Sequence, residues 1–489
     1  MKILFRRLFP FRPPMRQAPL MTFERIHMIG IKGAGMAALA QIFVHQGKRV
    51  TGSDTDEIFF TDGILKALGV PVCEAFAPEN IPADVEGIVY STSYSPERNP
   101  ELQAAFASGK PVLSYPEAVG VLTREYLTLA VSGTHGKTTT SALLGHVLEQ
   151  IGESPTAIVG SRIAAWGGGA LLGTGPYLVL EADEYQNKLK EYQPFSVILT
   201  SADFDHPDFF SDAEAYENVF RDFVKRIPPH GVLVYCQDSA AVMRIAAAAH
   251  CQKIPYGQKE GAMYRMTGYT PLQISSSDSN FPLQHFSVLK EEKFFGEYDL
   301  RLAGRHNALN ATAVIALLDF LRKERQPVIS ALATFPGTER RFEYVGEHFG
   351  ALLYDDYAHH PEEIRVTLRA FREMFPDKTI TVVFHPHTFT RTKALLHEFA
   401  QCFEDADRVY ILDIYGSARE ERGGVSSQDI VDLMERFAPG KSKVAHESEV
   451  LVSGLRKSMG RNDVIISLGA GDVWKVTHAL VKSDDLPKK

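Results

Sequence analysis

Cysteine is scarce and scattered: Cys73, Cys236, Cys251 and Cys402 stand far apart in 489 residues, with no C-x-x-C pair and no metal-ligand spacing. That argues against a disulfide framework and fits a reducing, cytoplasmic setting. Long apolar runs are missing too. No stretch reaches the roughly 18 residues of a membrane helix, so no membrane partner is expected. Positive charge is not in excess. The net charge is -8 and the pI near 6.1, which argues against coating nucleic acid, because that needs a basic surface to displace counterions. Repeats and low-complexity tracts are absent, and Ser275 to Ser279 reads as a short loop.

What is there is an ordinary soluble composition, 45% hydrophobic and 23% charged, long enough for about three domains of roughly 150 residues. The first 22 residues carry Lys2, Arg6, Arg7, Arg12 and Arg16 with no acid, and Pro10, Pro13 and Pro14 interrupt any helix. They lack the roughly 7–15-residue apolar core of a signal peptide. We expect a disordered tail over 1–22, with Met21 as an alternative start.

Residues 23–122 open on a βαβ unit: strand RIHMIGI, the glycine turn Gly30 to Gly35, helix MAALAQIFVHQ stopped at Gly47, and strand RVTGSD ending at Asp54. Free N–H groups at a helix N-terminus attract phosphate. The spacing Gly30-x-x-Gly33-x-Gly35 differs from G-x-G-x-x-G, so the turn reads as a nucleotide-diphosphate site of unspecified base, with NAD as the lesser alternative. Residues 123–332 alternate apolar strands and helices, the pattern of a parallel sheet covered on both faces. From about Tyr256 to Leu302 short polar-apolar strands suggest an antiparallel edge, and GRHNALNATAVIALLDFLRK reads as a helix. Residues 333–489 alternate again, with strands ALLYDDYAHH, TITVVFHPH, DRVYILDIYG and DVIISLGAG ending in polar clusters. The fold class is therefore α/β in three domains: a Rossmann-like first domain, a central P-loop ATPase with a mixed sheet, and a Rossmann-like C-terminal domain.

Gly133-Thr134-His135-Gly136-Lys137-Thr138, between a strand and a helix, carries the strongest chemical signal. Backbone amides can wrap phosphate oxygens, Lys137 can reach the outer phosphates, and the Thr138 hydroxyl can ligate Mg²⁺. Val131 stands where the full P-loop pattern has its first glycine. Glu181, Asp183 and Glu184 close the next apolar strand, where carboxylates commonly serve a metal ion. Asp203, Asp205, His206 and Asp208 end another, and His206 together with Glu181 suggests a second metal position. Asn307 and Asn310 are two amides three apart on a helix, a pair that suits a purine edge. Arg340 and Arg341 precede Asp355, Asp356, His359 and His360; His385, His387 and Arg391 end the following strand. Arginine can stabilise a transferring phosphoryl group. Zinc is disfavoured, since no H-x-x-x-H or cysteine partner accompanies the histidines.

In this order GIKGAGM, SGTHGKTTT, EADE, DFDHPD, GRHNALNA, ERRFE, DDYAHHP, HPHTFTRT and DIYGSARE resemble the Mur ligases of peptidoglycan synthesis, from about residue 23 to the end. GIKGAGMAALAQ, DDYAHHP and FTRT are most similar to the alanine-adding members. The resemblance implies ATP-dependent ligation of L-alanine to the lactyl carboxylate of UDP-N-acetylmuramate through an acyl phosphate, by a cytoplasmic monomer or weak dimer. It implies that Gly133, Thr134, His135, Gly136, Lys137, Thr138 and Thr139 bind ATP, with Lys137 serving phosphoryl transfer and not folding. It places Asn307 and Asn310 on adenine, Asp356 on the ribose and Arg341 on the transferring phosphate. Thr138, Glu181 and His206 would hold Mg²⁺; Gly30, Lys32, Gly33, Gly35, Met36, Asp54, Ser91 and Ser93 would line the UDP site. His359, His387 and Arg391 would address the intermediate or the amino acid.

Two departures from the family pattern stand out. AYENVFRDF has no lysine where many members carry a carbamoylated one, Arg221 being the nearest cation, which leaves the second metal's ligands open. Lys32 replaces a common glycine and is expected to add a phosphate contact. The competing readings are a recycling ligase of the same family that adds a tripeptide, a P-loop motor or switch, and a nicotinamide dehydrogenase.

Overall fold

A computed structural model of the chain describes residues 19–271, 284–416 and 423–481. Residues 1–18 of the expected tail and the loop at Ser275–Ser279 lie outside the described residues. The last four residues of the tail correct the expectation. Pro19–Thr22 form a helical turn, Leu20 is 1% exposed, and the Lys48 ammonium donates to the Leu20 and Phe23 carbonyls. An apolar side chain that finds a core site orders its own turn.

The first sheet contains β1 (Arg25–Ile29), β2 (Arg49–Ser53), β3 (Val72–Cys73), β4 (Gly87–Tyr90) and β5 (Val112–Ser114), in the order β3-β2-β1-β4-β5. Every pairing is parallel, so both faces need cover. Helix α1 (Ala34–His45) covers one and is buried continuously from Met36 to Phe43. Its outer side packs on a hairpin of the second domain. That explains an apolar sequence all the way round instead of a single stripe.

The central sheet has ten strands: β6 (Leu127–Ser132), β7 (Thr156–Ile163), β8 (Gly168–Leu171), β9 (Tyr177–Glu181), β10 (Ser196–Leu199), β11 (Val232–Cys236), β12 (Gln252–Gly257), β13 (Tyr264–Pro271), β14 (Gln284–Lys290) and β15 (Lys293–Leu300). The order is β15-β14-β13-β12-β11-β10-β6-β9-β7-β8. The middle is parallel, and β13-β14-β15 form the antiparallel edge expected from the texture of 256–302. Strands β6 and β10 are buried on both faces, as their unbroken apolar runs require. The register sets Val131 against Glu181 and Ser132 against Leu199. Loops leaving β6, β9 and β10 therefore emerge side by side.

The third sheet holds β16 (Glu343–His348), β17 (Ala351–Asp356), β18 (Thr379–Phe384), β19 (Arg408–Leu412), β20 (Ser442–Ala445) and β21 (Asp463–Leu468), ordered β16-β17-β21-β18-β19-β20 with β16 antiparallel at the edge. One apolar cluster runs from Leu20 to Phe335 through the first two sheets, whereas the third domain has clusters of its own. The expected boundary between 122 and 123 falls inside helix α2 (Tyr115–Glu125). The one at 332/333 falls where helix Arg325–Leu332 ends.

Candidate active site

Helix α3 (Lys137–Gln150) starts directly on the loop leaving β6. Gly133 has φ +131 and Gly136 φ +76; a Cβ would meet Thr200 Oγ1 at 2.4 Å in the first case and Asn310 Oδ1 at 2.9 Å in the second. Both positions are closed to side chains, so the backbone runs tight under a phosphate-sized turn. Thr134 Oγ1 bonds the Asp203 carbonyl at 2.7 Å and lies 2.9 Å from Tyr216 Oη, while the His135 N–H donates to Ser201 Oγ at 2.8 Å. Thr139 is buried in the first turn of α3. The Lys137 ammonium folds back onto its own loop, at 2.5 Å from the Gly133 carbonyl, 3.1 Å from Thr134 and 2.9 Å from Glu184 Oε2. Burial opposes its charge, but Glu184 and Asp183 more than offset that and hold it above the ordinary lysine range.

Two oxygen-rich positions adjoin the loop. Thr138 Oγ1 donates to Glu181 Oε1 at 2.8 Å, and the Gly160 N–H holds Glu181 Oε2 at 2.6 Å. Asp183, Glu184 and His206 bring one ligand atom each within 4.8 Å of one another. The structure thus sets Glu181 beside Thr138 and groups His206 with Asp183 and Glu184, a different partition from the Glu181–His206 pairing expected. The reason is backbone. His206 takes φ +57 and its ring lies tilted against Tyr185, the centroids 4.5 Å apart. Hydroxyl and carboxylate donors suit a hard cation such as Mg²⁺.

Helix α4 (Arg305–Phe320) brings Asn307 and Asn310 behind the phosphate loop, both under 10% exposed, their amides 3.4 Å apart. From the third domain, helix α5 (Pro361–Met374) presents Glu363 to His135 Nδ1 at 3.1 Å. Glu363 also accepts the His359 N–H at 3.1 Å. The His359 ring sits against the Tyr357 carbonyl, and burial pushes it down to about 3, so it is neutral at ordinary pH. Sequence reasoning did not single out Glu363. Its signal was there: His360 and Glu363 stand at the N-cap and N3 of a capping box.

Two expectations for this domain, Arg391 and Asp356, are corrected. Arg391 is not open to a substrate: its Nε and Nη2 hold Asp205 at 3.0 and 3.2 Å, both residues 5% exposed, with His387 Nδ1 3.4 Å away. Burial works against the Asp205 charge, and Arg391 outweighs it, keeping the carboxyl far below the usual range. Asp356 faces inward, accepting the Phe342 and Ala358 N–H groups at 2.7 and 2.8 Å. It ties the ERRFE turn to the DDYAHHP loop. Arg340 turns to its own domain, bonding Asp355 at 2.7 Å and the Gly469 carbonyl at 2.6 Å. Arg341 differs: its buried Nε has no partner among the described residues, and its guanidinium lies 5.2 Å from the Tyr357 ring.

Burial pushes the Asp356 carboxyl up to about 6, with Arg341 and the two amide donors pulling the other way. An unfolded aspartate ionises near 3.9. Between about pH 4 and 6 the unfolded state loses its proton first, so stability falls as pH rises through that window. Relative to Asp356→Asn, the wild type should lose on the order of 3 kcal/mol across it at most. Thermal unfolding of both proteins from pH 4 to 7 checks this; parallel curves would refute it.

In the first domain Gly30 (φ +80) lies under Tyr94 and Ser91, and a Cβ would meet Tyr94 Cε2 at 2.7 Å. Gly33 is open, Met36 is buried, and Ser93 donates its N–H to Ser91 Oγ at 3.3 Å. Two UDP-site expectations change. Lys32 is 2% exposed and its ammonium pairs with Asp62 at 3.1 Å and Glu74 at 3.6 Å, so it braces loops and adds no phosphate contact. Asp54 accepts the Lys32 and Thr55 N–H groups and the Tyr94 hydroxyl. Its carboxylate shapes the turn from within. Tyr115 packs on Gly35, its hydroxyl 2.8 Å from where a Cβ would stand, and Glu181 and Asp183 add to burial in raising its pKa. The glycine turn and the acidic positions are therefore neighbours.

Comparison with known proteins agrees with this geometry. Residues 25–127 match the profile of the Mur ligase family catalytic domain, 131–318 that of the Mur ligase middle domain, and 340–471 that of the Mur ligase glutamate ligase domain. The chain is 40% identical over 460 residues to the UDP-N-acetylmuramate–L-alanine ligase of Desulfitobacterium hafniense (strain Y51), covering 93% of this chain and 99% of that one. The crystal structure of the UDP-N-acetylmuramate–alanine ligase of Thermotoga maritima matches with a TM-score of 0.78 at 28% identity, covering 94% of this chain and 98% of that one. A murein peptide ligase from Psychrobacter arcticus shares the fold, with a TM-score of 0.67 at 22% identity over 94% of this chain and 98% of that one. A phosphate loop, a glycine turn and a capping third domain occur here in one order and over nearly the full length of such relatives, and the chain belongs to the Mur ligase family.

Proposed function

We propose that the chain joins L-alanine to the lactyl carboxylate of UDP-N-acetylmuramate at the expense of ATP, in cytoplasmic peptidoglycan precursor synthesis, as a monomer or weak dimer. The observation that carries this reading is the meeting of the central and third domains beside the phosphate loop, where His135 reaches Glu363 and Asp205 holds Arg391, with Tyr115 of the first domain close to Glu181 and Asp183. The glycine turn with Gly33, Gly35, Ser91 and Ser93 receives the diphosphate. The loop Gly133–Thr139 receives the triphosphate, with Asn307 and Asn310 toward adenine. Thr138 and Glu181 at one position, and Asp183, Glu184 and His206 at the other, are the oxygen and nitrogen donors for Mg²⁺, which when bound neutralises phosphate charge.

A carboxylate resists an amine because oxide is a poor leaving group. A carboxylate oxygen attacks the γ-phosphorus and ADP departs; the alanine amine then attacks the acyl carbon, and the tetrahedral intermediate expels phosphate. The chain's own part is placement and charge stabilisation. Lys137 turns from its loop carbonyls to the outer phosphates, and Arg341, whose buried Nε has no partner among the described residues, meets the transferring group. Neutral His359, beside His387, can accept a hydrogen bond from the alanine amine, which attacks in its deprotonated form. The third domain excludes water from the acyl phosphate.

Phosphate release from ATP should require UDP-N-acetylmuramate and rise sharply with L-alanine, giving an amide-linked product visible by mass. Preference for a tripeptide over alanine would overturn the choice of amino acid. ATP turnover indifferent to the UDP-sugar would overturn the whole reading.

A further inference from the structure

Strand β7 is the last but one of the central sheet, between β9 and the edge strand β8, and packs on α1. Its parallel ladder with β9 ends at Ile158, and its register with β8 shifts between Ile158 and Ile163. Gly160, Ser161 and Arg162 fall between the paired positions, and the Gly160 N–H and the polar groups of Arg162 bond elsewhere. The Gly160 N–H takes Glu181, and a Cβ there would stand 3.1 Å from Glu181 Oε1. Two residues on, the Arg162 carbonyl accepts the Glu339 N–H at 3.2 Å and Arg162 Nη1 meets Glu339 Oε1 at 2.9 Å.

Glu339 belongs to the irregular stretch that links the central and third domains, and Arg340 and Arg341 follow it directly. Three consecutive side chains thus have three different fates. Glu339 is fastened to β7 of the central domain. Arg340 is fastened to Asp355 and the Gly469 and Gly471 carbonyls of the third. Arg341, between the third domain's core and the cleft, has its buried Nε unpartnered. A guanidinium on so short a turn points where its flanking residues are held.

We infer that Arg162 is a positioning residue for phosphoryl transfer, acting through Glu339 to aim Arg341 at the same cleft in which Gly160 aims Glu181. This rests on the reading that Arg341 meets the transferring phosphoryl group. The side chains of the Arg162–Glu339 pair are 46% and 31% exposed. So wet a pair contributes little to global stability, whereas misplacing a reacting group by about 1 Å can cost about a hundredfold. Stability and rate therefore separate here.

The test uses the full chain with Arg162→Ala, Glu339→Ala, the exchange Arg162→Glu/Glu339→Arg, and Arg341→Ala as reference. Phosphoryl transfer is read from oxygen exchange between the bridging and nonbridging positions of the β,γ link of ATP, with UDP-N-acetylmuramate present and alanine absent. Arg162→Ala and Glu339→Ala should each lower that exchange and kcat by on the order of tenfold or more, with KM values and melting temperature nearly unchanged. The exchanged pair should recover most of the loss. Wild-type exchange in Arg162→Ala alongside a crippled Arg341→Ala overturns this inference alone. Wild-type exchange in Arg341→Ala overturns the reading beneath it. A raised KM for the UDP-sugar with kcat intact makes Arg162 a substrate contact, and a melting temperature falling in step with activity makes it structural; either result overturns the positioning role.

Discussion

Lys137→Ala is expected to lower turnover by on the order of a hundredfold or more, as loss of a preorganised charge usually does. The effect on folding is not zero, contrary to what the motif alone implies. Glu184 is buried, its side chain 1% exposed, and its protein donors among the described residues are the Lys137 ammonium at 2.9 Å and the Tyr216 hydroxyl at 2.8 Å. Removing the lysine leaves that carboxylate with one donor, a change worth about 1–3 kcal/mol. The melting temperature should therefore fall by a few degrees while turnover, measured well below the transition, falls far more. Adding Mg²⁺ and ATP should restore part of the stability, since cations near Glu184 can take the ammonium's place, and little of the turnover. Turnover within about threefold of wild type in the purified variant would show that the loop binds phosphate without Lys137.

The fold was readable wherever local pattern and tertiary role coincide. The apolar runs LTLAVS and SVIL are strands because a central parallel strand is apolar on both faces, and the helix RHNALNATAVIALLDF is apolar at helical spacing for the same reason. The glycines of the phosphate loop were readable because nothing else fits beneath Asn310 and Thr200. Elements at or next to the sheet edges were not. Strands β7, β8, β16 and β20 are short or irregular, and their partners, which no period in the sequence encodes, decide whether they pair. The same holds for side chains. Lys32 and Arg391 are cations in motifs that bind anions, so sequence assigns them to ligand; the structure gives each a distant acidic partner, Asp62 for Lys32 and Asp205, 186 residues away, for Arg391. Charge is visible in a sequence, but the choice of counter-charge is made by packing. Arg162 carries no signal at all, because its meaning depends on Glu339, which lies 177 positions further on.

Cutting the Asp205–Arg391 pair should have the other large effect. Asp205 lies in the loop after β10 in the central domain, Arg391 lies in helix Phe389–Ala394 of the third, and the two bond side by side at 3.0 and 3.2 Å, both buried. Removing one partner of a buried pair strands the other charge, at about 3–5 kcal/mol. Here that penalty falls on the closed arrangement of the domains. Asp205→Ala should therefore expand the molecule in small-angle scattering and lower kcat/KM by on the order of a hundredfold or more. Replacing both partners by apolar residues of similar size is often close to neutral, which makes Asp205→Leu/Arg391→Met the deciding variant. If the pair serves only to hold the domains together, the double variant regains compactness and most of its activity. If Arg391 leaves Asp205 during the cycle to meet the intermediate or the amino acid, the double variant regains compactness and stays inactive. An Asp205→Ala protein with unchanged scattering and unchanged kcat/KM would show that closure rests on His135 and Glu363 instead.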